Sequence, residues 1–287
     1  MIALGRIPLA NPIIAASGAL GFGRGYWWDR PLVYAGIIKP DTIGAVITKT
    51  LTSQAWTGNW KGWNPWQVLW PLCGGWVNAF GLTNRGLRWF IEQEYPRVHA
   101  RNLIVSINDP EPSAIPRMAE KLNRIELLAI EVNLSCPNTP QWTDLQRSYD
   151  VTKMILYRIK SMSRHPLVIK IGYLNERERE NIAEICQSVG IDAVDMINTI
   201  PFGSRFPGQM SPLKNVGGVS GPLISRFALE QVDWFARNTR IPIIGGGGAG
   251  SADDVRVFLN AGATAVSIGS AHIMRPWISS RLATLYA

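Results

Sequence analysis

Residues 241–270 read IPIIGGGGAGSADDVRVFLNAGATAVSIGS, and this stretch decides the fold. Two runs rich in β-branched residues, Ile241–Gly245 and Ala265–Ile268, have the length and the flanking glycines of buried strands. Between them, after the predicted helix N-cap Ser251, apolar residues recur at helical spacing: Val255, Phe258 and Leu259. A strand, a helix and a second strand in this length predict a βαβ unit with parallel strands.

The same alternation extends over the rest of the chain. Six more predicted strands are Pro12–Ala16, Ala45–Lys49, Leu103–Ile107, Ala129–Asn133, Leu167–Ile171 and Ala193–Ile197. Helical spacing links two further groups of apolar residues: Ile115, Met118, Ala119 and Leu122, and Val151, Met154, Ile155, Ile159 and Met162. Roughly eight such units in 287 residues predict an α/β protein that closes into a (β/α)₈ TIM barrel. A doubly wound open sheet is the alternative, but no GxGxxG motif follows the first strand.

Composition limits the possible classes of protein. With 46% hydrophobic and 17% charged residues the chain can bury a core, and the absence of a linker-like segment predicts a single domain, 1–287. The net charge of +8 comes from dispersed Lys and Arg, which indicates a solvated surface and an anionic ligand rather than nucleic acid. No apolar run is long enough to span a membrane, and the N-terminal residues lack a signal-peptide pattern, so we expect a cytoplasmic enzyme.

Cysteine and histidine spacing argues against a metal site. The three cysteines form no CxxC pair, and the three histidines have no metal-ligand spacing. We therefore expect neither a disulfide framework nor a bound metal within this chain.

An unusual segment follows the second predicted strand. Six of the 12 tryptophans lie between Gln54 and Trp76, with glycine and proline between them and no period. In a barrel this would be an enlarged loop, at about 51–86, on the face that carries active sites. Two interpretations remain open: a self-packed loop or subunit contact, and a wall over the substrate.

Residues at the carboxyl ends of barrel strands converge on one site. Those ends contain no paired carboxylates and no Ser-His-Asp set, which argues against hydrolysis. They do contain several asparagines, whose amides can both donate to and accept from a planar heterocycle with imide groups. Cys136 lies among polar residues just past a strand and is a candidate base or nucleophile, whereas Cys186 lies within a helical pattern and fits a buried apolar role.

Glycines follow the last two predicted strands. Gly245–Gly248 and Gly269-Ser270 stand where this fold commonly binds phosphate, and the predicted helix beginning at Ser251 would add its positive end. A tight turn without a ligand is the alternative for the first glycine run taken alone.

Residues 131–138, EVNLSCPN, resemble the signature of dihydroorotate dehydrogenases. The resemblance covers nearly the whole chain. Further matching motifs are Ala16-Ser17-Gly18, Lys49-Thr50, Asn78–Asn84, Ile169-Lys170, Ile197-Asn198-Thr199, Gly217–Gly221 and the two terminal glycine motifs.

The resemblance implies oxidation of dihydroorotate to orotate in de novo pyrimidine (UMP) biosynthesis, with FMN as cofactor. Cys136 would take a proton from C5 while a hydride passes from C6 to N5 of FMN, and Lys170 would stabilise the anion of the reduced flavin. The implied substrate-binding residues are Lys49, Asn78, Gly81, Leu82, Asn133, Asn138, Asn198 and Thr199. The implied cofactor-binding residues are Ala16, Ser17, Gly18, Lys49, Thr50, Asn133, Lys170, Gly221, Gly247, Gly248, Gly269 and Ser270.

The resemblance also implies a subclass. A cysteine base, rather than serine, is typical of the soluble class, and Gly217–Gly221 is more similar to the NAD-linked subclass than to the fumarate-using one. NAD-linked enzymes pair with an electron-transfer subunit carrying FAD and a 2Fe–2S cluster, so a homodimer or a heterotetramer is expected. The segment after Asn138 is shorter than in that subclass, which leaves a stand-alone enzyme open.

Other classes of protein remain as alternatives. The tRNA dihydrouridine synthases are also FMN barrels with an Asn…Cys-Pro motif, but Asn138 and the pair Asn198-Thr199 favour a free pyrimidine. Dihydropyrimidine dehydrogenase shares the cysteine chemistry within a much longer chain. A non-catalytic flavin carrier would have no reason to keep Cys136, both lysines and the asparagines.

Overall fold

A computed structural model describes residues 1–59, 64–135, 148–202 and 217–287 of the chain. Its strands are β1 (Ile2–Leu4), β2 (Ile7–Leu9), β3 (Ile13–Ala15), β4 (Ala45–Ile47), β5 (Leu69–Leu72), β6 (Gly75–Asn78), β7 (Leu103–Ile107), β8 (Ala129–Asn133), β9 (Leu167–Ile171), β10 (Ala193–Met196), β11 (Ile200–Pro201), β12 (Gly218–Ser220), β13 (Ile243–Gly246) and β14 (Ala265–Ile268).

Eight of these strands close into a parallel barrel in the order β3-β4-β7-β8-β9-β10-β13-β14. The barrel strands coincide with the eight predicted runs to within about two residues at each end. The predicted (β/α)₈ barrel is therefore confirmed, and the alternative of an open doubly wound sheet is wrong.

In the described ranges, helices lie between the strands and after the last strand. They are α1 (Arg30–Tyr34), α2 (Leu87–Trp89), α3 (Ala114–Leu122), α4 (Tyr149–Met162), α5 (Glu176–Val189), α6 (Ser225–Asn238), α7 (Ala252–Asn260), α8 (Ala271–Met274) and α9 (Ile278–Leu285). Single turns of 3₁₀ helix cover Pro40–Thr42, Pro65–Gln67, Tyr95–Arg97 and Pro222–Ile224, and a π-helical segment covers Phe90–Glu94. None of the helices in the described ranges combines the length and the apolar character needed to cross a bilayer.

The two predicted apolar helix faces differ in how well they match the buried residues of the structure. In α3 the predicted apolar residues Ile115, Met118, Ala119 and Leu122 are all buried. In α4 the helix forms, but Val151 and Met154 are exposed, and the buried residues are Thr152, Ile155, Leu156 and Ile159. The apolar spacing therefore located α4 correctly and assigned part of its buried face wrongly.

The lower half of the barrel interior is apolar. Inward-facing residues of the barrel strands form one cluster with three residues of the N-terminal hairpin β1–β2: Leu4, Ile7 and Leu9. All three are fully buried, so the hairpin closes the end of the barrel opposite the active-site face. The candidate site residues predicted at the carboxyl ends of the strands therefore lie at the other end of the barrel.

One ion pair fastens this hairpin to the barrel. Arg6, at the hairpin turn, donates to the carboxylate of Asp192 at 2.6 and 3.0 Å, and Lys160 donates to the same carboxylate at 3.0 Å. Gly5 has φ of 61°, and a Cβ there would lie 2.4 Å from the carbonyl oxygen of Asp192. Burial acts to raise the pKa of Asp192, but the hydrogen bonds from Arg6, the Leu167 N–H and Lys160 outweigh it and lower that pKa to about 2.

The C-terminal part of the tryptophan-rich segment forms strands. Strands β5 and β6 form a hairpin, and β6 pairs with β12, which pairs with β11, in a four-stranded antiparallel sheet. All four strands have no more than four residues and carry glycine or proline, so they leave no readable period of two in the sequence. Trp60 and Trp63 lie outside the described residues.

We expect Asp192→Asn to lower the free energy of unfolding at pH 7 by about 2 kcal/mol, because the pKa of Asp192 lies about two units below its unfolded value. This contribution is present above pH 4 and is lost as the pH falls through about 2, so the difference between parent and variant should shrink on acidification. Urea unfolding across this pH range measures it. Asp233→Asn, which breaks an exposed pair with Arg237, is the control and should change stability by less than about 0.5 kcal/mol.

Candidate active site

A cavity of about 490 Å³ opens at the carboxyl ends of the barrel strands. Its volume lies within the range of small-molecule and cofactor sites. Every predicted site residue in the described ranges lines it: Ala16, Ser17, Gly18, Lys49, Thr50, Asn78, Gly81, Leu82, Asn133, Lys170, Asn198, Thr199, Gly221, Gly247, Gly248, Gly269 and Ser270. The two remaining predicted residues, Cys136 and Asn138, lie outside the described residues.

A buried hydrogen-bond chain orients Asn133 at the end of β8. Its Nδ2 donates to Thr50 Oγ1 at 3.1 Å, and Thr50 Oγ1 is 2.9 Å from Ser106 Oγ. Its Oδ1 accepts from the Ser135 N–H at 3.1 Å, and its carbonyl oxygen accepts from the Asn108 side chain. Because both ends of its amide are bonded, Asn133 presents a fixed edge to the cavity.

Asn198 ties the end of β10 to the residue that precedes Cys136. Its Nδ2 donates to the carbonyl oxygen and to Oγ of Ser135, both at 3.1 Å. The neighbouring Thr199 is buried and lines the cavity, and its Oγ1 has no hydrogen-bond partner among the described residues. A buried hydroxyl without a partner costs free energy, so Thr199 is placed to bond a ligand.

Lys49, at the end of β4, points into the cavity as an unpaired cation. Within the described ranges its ammonium has no hydrogen-bond acceptor, and it lies 5.6 Å from the ring centre of Phe80. Burial lowers the pKa of Lys49 to about 8, because no carboxylate offsets the loss of water. An anionic ligand in the cavity would supply that missing charge.

The loop after β6 supplies a further wall. Asn78 donates to the Gly218 carbonyl oxygen at 3.4 Å, which ties β6 to β12 at the cavity. Gly81 and Leu82 both have positive φ, 67° and 61°, and among the described residues Leu82 is the one non-glycine residue in this strained backbone region. Such strain in a cavity wall is typical of a ligand-contacting turn.

The two glycine motifs meet at the far end of the cavity. Gly247 and Gly248 have φ of 108° and 107°, which disfavours other residues. A Cβ on Gly248 would lie 2.8 Å from the carbonyl oxygen of Gly221, so only glycine permits this approach of the two chain segments. Gly221, Gly247, Gly248, Gly269 and Ser270 together form a backbone cradle with little side-chain bulk.

The predicted N-cap Ser251 is confirmed at the start of α7. Ser251 is exposed and caps α7 itself, accepting from the Asp254 N–H at 3.1 Å. The carboxylate of Asp254 also accepts from the Gly250 N–H at 3.0 Å. The Asp254 N–H of α7 is thus bonded by its own N-cap, and Ser251 does not line the cavity, while a contribution of this helix to anion binding stays a prediction.

A charged layer lies beneath the cavity, and the sequence reasoning named only one of its members. Lys170 Nζ donates to Asp195 Oδ2 at 2.5 Å, and Glu131 is fully buried beside them. Asp195 and Glu131 stand at inward-facing positions of β10 and β8, two residues beyond the apolar Ala193 and Ala129. A charged residue at an inward position of a barrel strand was the signal that could have found them.

Aromatic residues after β3 form another part of the cavity wall, which was not predicted from the sequence. Tyr26 donates to the Gly18 carbonyl oxygen at 2.8 Å and stacks on Trp28 with ring centres 4.7 Å apart. His272, from α8, lines the cavity as well, and burial lowers its pKa to about 4, so it is neutral at physiological pH. Tyr26 and Trp28 follow Gly18 closely in the chain, which is the signal that could have indicated them.

Comparisons with known proteins show the family of this chain. The profile of the family described as "Dihydroorotate dehydrogenase" matches residues 3–284. A protein of Geotalea uraniireducens, named "Dihydroorotate dehydrogenase B (NAD(+)), catalytic subunit", is 32% identical over 96% of this chain and 88% of its own. A protein of the same name from Alkaliphilus oremlandii is 33% identical over 94% of this chain and 86% of its own.

Solved structures support the fold. A crystal structure of DHODH from Eimeria tenella in complex with ferulenol superposes with a TM-score of 0.75 over 95% of this chain and 79% of that one, at 22% identity. The sequence matches go further than the fold, because their identity exceeds 30% over almost the whole chain. This chain belongs to the dihydroorotate dehydrogenase family.

Proposed function

We propose that this protein uses FMN to oxidise dihydroorotate to orotate, a step of de novo pyrimidine (UMP) biosynthesis. The observation that carries the proposal is the convergence, around one cavity, of an unpaired lysine, a set of asparagines and a glycine cradle. A cationic anchor with amide donors and acceptors suits a planar pyrimidine that bears a carboxylate.

The residues present fit FMN. The cradle of Gly221, Gly247, Gly248, Gly269 and Ser270 leaves room for a phosphate beside backbone N–H groups, and Ala16, Ser17 and Gly18 offer a wall of small residues. Gly18 has φ of 79°, a backbone conformation that favours glycine, so this part of the wall carries no side chain. When bound, FMN supplies the hydride acceptor.

The substrate would occupy the side of the cavity that carries Lys49. Its carboxylate would restore the missing partner of the Lys49 ammonium, and Thr199 Oγ1 would gain a hydrogen bond that the described residues do not supply. Asn78, Asn133, Asn138 and Asn198 would pair with the imide edge, while Gly81 and Leu82 would cover it. The contacts to Lys49 and Thr199 would satisfy polar groups that have no hydrogen-bond partner among the described residues.

Cys136 would act as the base that removes the C5 proton. Support comes from the residue before it, since Ser135 is held by Asn133 at one side and by Asn198 at the other. The chain therefore enters the Cys136 segment from a fixed position at the cavity, two residues after Asn133. A thiolate at this point can accept a proton at neutral pH, whereas a serine hydroxyl cannot without further help.

An electron-transfer partner completes the proposal. The relatives named above are catalytic subunits, which supports a second chain here, and we propose that it carries FAD and a 2Fe–2S cluster. Two exposed aromatic surfaces are candidates for the contact: Trp56 and Trp66 on the tryptophan-rich segment, and Trp27 and Trp28 after β3. Trp28 also lines the cavity, so the second surface lies closer to the redox site.

Lys49→Met should weaken orotate binding by about 10- to 100-fold, because a charge-assisted hydrogen bond is lost. The same change should raise the free energy of unfolding of the flavin-free protein at pH 7 by about 1 kcal/mol, since it removes a desolvated cation. The pKa of Lys49 is lowered in the fold, so this gain should disappear as the pH rises through about 8 towards 10.5.

Calorimetric titration with orotate and urea unfolding at pH 7 and pH 10 measure the two effects. Lys39→Met, at an exposed position, is the matched control and should change neither. If Lys49→Met bound orotate as tightly as the parent does, Lys49 would not be a substrate-binding residue.

Cys136→Ser should retain FMN but lose reduction of the flavin by dihydroorotate at pH 7 by about 100-fold or more, because the hydroxyl is a far weaker base. Stopped-flow absorbance under anaerobic conditions follows the reaction. Cys73→Ser, at an exposed cysteine outside the cavity, should behave like the parent. Equal reduction rates in Cys136→Ser and the parent would exclude the proposed base.

The purified chain should form orotate with an artificial acceptor but turn over only negligibly with NAD, because the proposed route to NAD runs through a second chain. Orotate formation is measured with NAD, fumarate and a quinone in turn, with the artificial acceptor as the positive control. Efficient turnover with NAD alone would contradict the two-subunit proposal, and rapid turnover with fumarate would place the protein in the other soluble subclass.

A further inference from the structure

Three ionisable side chains from consecutive barrel strands meet below the cavity. They are Glu131 of β8, Lys170 of β9 and Asp195 of β10, and Lys170 and Asp195 are register partners. All three are buried, and Lys170 lines the cavity floor. Below them the interior is apolar, so their charges act mainly on each other and on whatever occupies the cavity.

Lys170 does not present a free positive charge to the cavity. Its Nζ lies 2.5 Å from Asp195 Oδ2, with both side chains at most 7% exposed. Asp195 Oδ1 also accepts from Ser267 Oγ at 3.2 Å, which holds the carboxylate in place from β14. Burial acts to lower the pKa of Lys170, but the two neighbouring carboxyls raise it above its usual value, so the lysine stays protonated and its charge is offset by Asp195.

Glu131 is the member of this group whose charge depends on pH near neutrality. It is fully buried, and neither of its oxygens makes a hydrogen bond of ordinary geometry within the described residues. The groups that face it are Ser106 from β7, Lys170 from β9 and Asp195 from β10. Burial is the largest influence and raises the pKa of Glu131 to about 8, with Asp195 adding to the rise and Lys170 opposing it. Glu131 is therefore neutral at pH 7 and ionises in mild alkali.

We propose that Glu131 and Asp195 are positioning residues that set the charge of the cavity floor: Asp195 offsets Lys170, and in mild alkali, where Glu131 is ionised, Glu131 takes up a proton when negative charge enters the cavity. This rests on the proposed function only in taking that charge to be an electron pair on bound FMN. The step forms one O–H bond, between an ionised Glu131 oxygen and a proton from solvent, and breaks no bond in the protein. Glu131 then offsets the added charge, and it releases the proton when the electrons leave.

The removal of Asp195 distinguishes this arrangement from an ordinary ion pair. In Asp195→Asn, Lys170 loses its partner, and the influence that raises the pKa of Glu131 disappears. Glu131 should therefore ionise at neutral pH and become the charge partner of Lys170 in place of Asp195. In the double variant Asp195→Asn/Glu131→Gln, no carboxylate remains in this layer, and the unbalanced Lys170 should raise the reduction potential of the flavin. Each single change should shift the potential at pH 7 by less than the double change does.

Infrared difference spectroscopy tests the charge of Glu131 directly. The parent should show a protonated-carboxyl band at pH 7 that fades as the pH rises through about 8, and Glu131→Gln should lack that band. Asp195→Asn should already lack it at pH 7. No Glu131 band at neutral pH in the parent, or its persistence in Asp195→Asn, would overturn the proposal. The experiment needs no dihydroorotate, so it can fail while the proposed function stands.

Spectroelectrochemical titration of the FMN-loaded protein tests the coupling. Above pH 8 the parent should take up one more proton per two electrons than Glu131→Gln does. The plot of reduction potential against pH should then be steeper in the parent by about 30 mV per pH unit. Glu92→Gln, at an exposed glutamate, is the control and should match the parent. Equal slopes in the parent and Glu131→Gln would refute the coupling. If the variants fail to fold or to bind FMN, the infrared titration of the parent decides the protonation claim.

Discussion

Closure of eight parallel strands into a ring is the constraint on which everything else in this protein depends. A closed ring forces alternate side chains of every strand into one shared interior. At the lower end these residues are apolar and the β1–β2 hairpin seals them, while two residues further along the same strands they are Glu131, Lys170 and Asp195. Two residues along a strand thus separate the apolar lower interior of the barrel from the floor of the active site.

The two cavity lysines show how differently the same side chain can be used. Lys170 is balanced by a carboxylate, and its charge is part of the folded structure before any ligand arrives. Lys49 has no such partner among the described residues, so the free protein carries a cost that a bound anion relieves. Retaining an unbalanced cation in this way favours ligand binding at the expense of stability.

Much of this arrangement was accessible from the sequence, for physical reasons that differ from residue to residue. Short β-branched runs located all eight barrel strands, because buried parallel strands need continuous apolar stretches. Since strand ends converge, Lys49, Asn133 and Asn198 could be grouped before any coordinates were known. The sheet formed by β5, β6, β11 and β12 was missed, because its stability comes from pairing between distant segments and not from local periodicity. Asp195 was missed because it lies within β10, before the strand-end residues from which the site was predicted.

The four-stranded sheet also bears on how such an enzyme can be altered. Strand β6 comes from the segment after the second barrel strand and β12 from the segment after the sixth, yet they are hydrogen-bonded neighbours. Exchange of residues 51–86 for the corresponding loop of a relative would leave β12 without its complementary edge unless 217–220 were exchanged with it. The two loops therefore behave as one module for protein engineering and for recombination, although more than a hundred residues separate them in the chain.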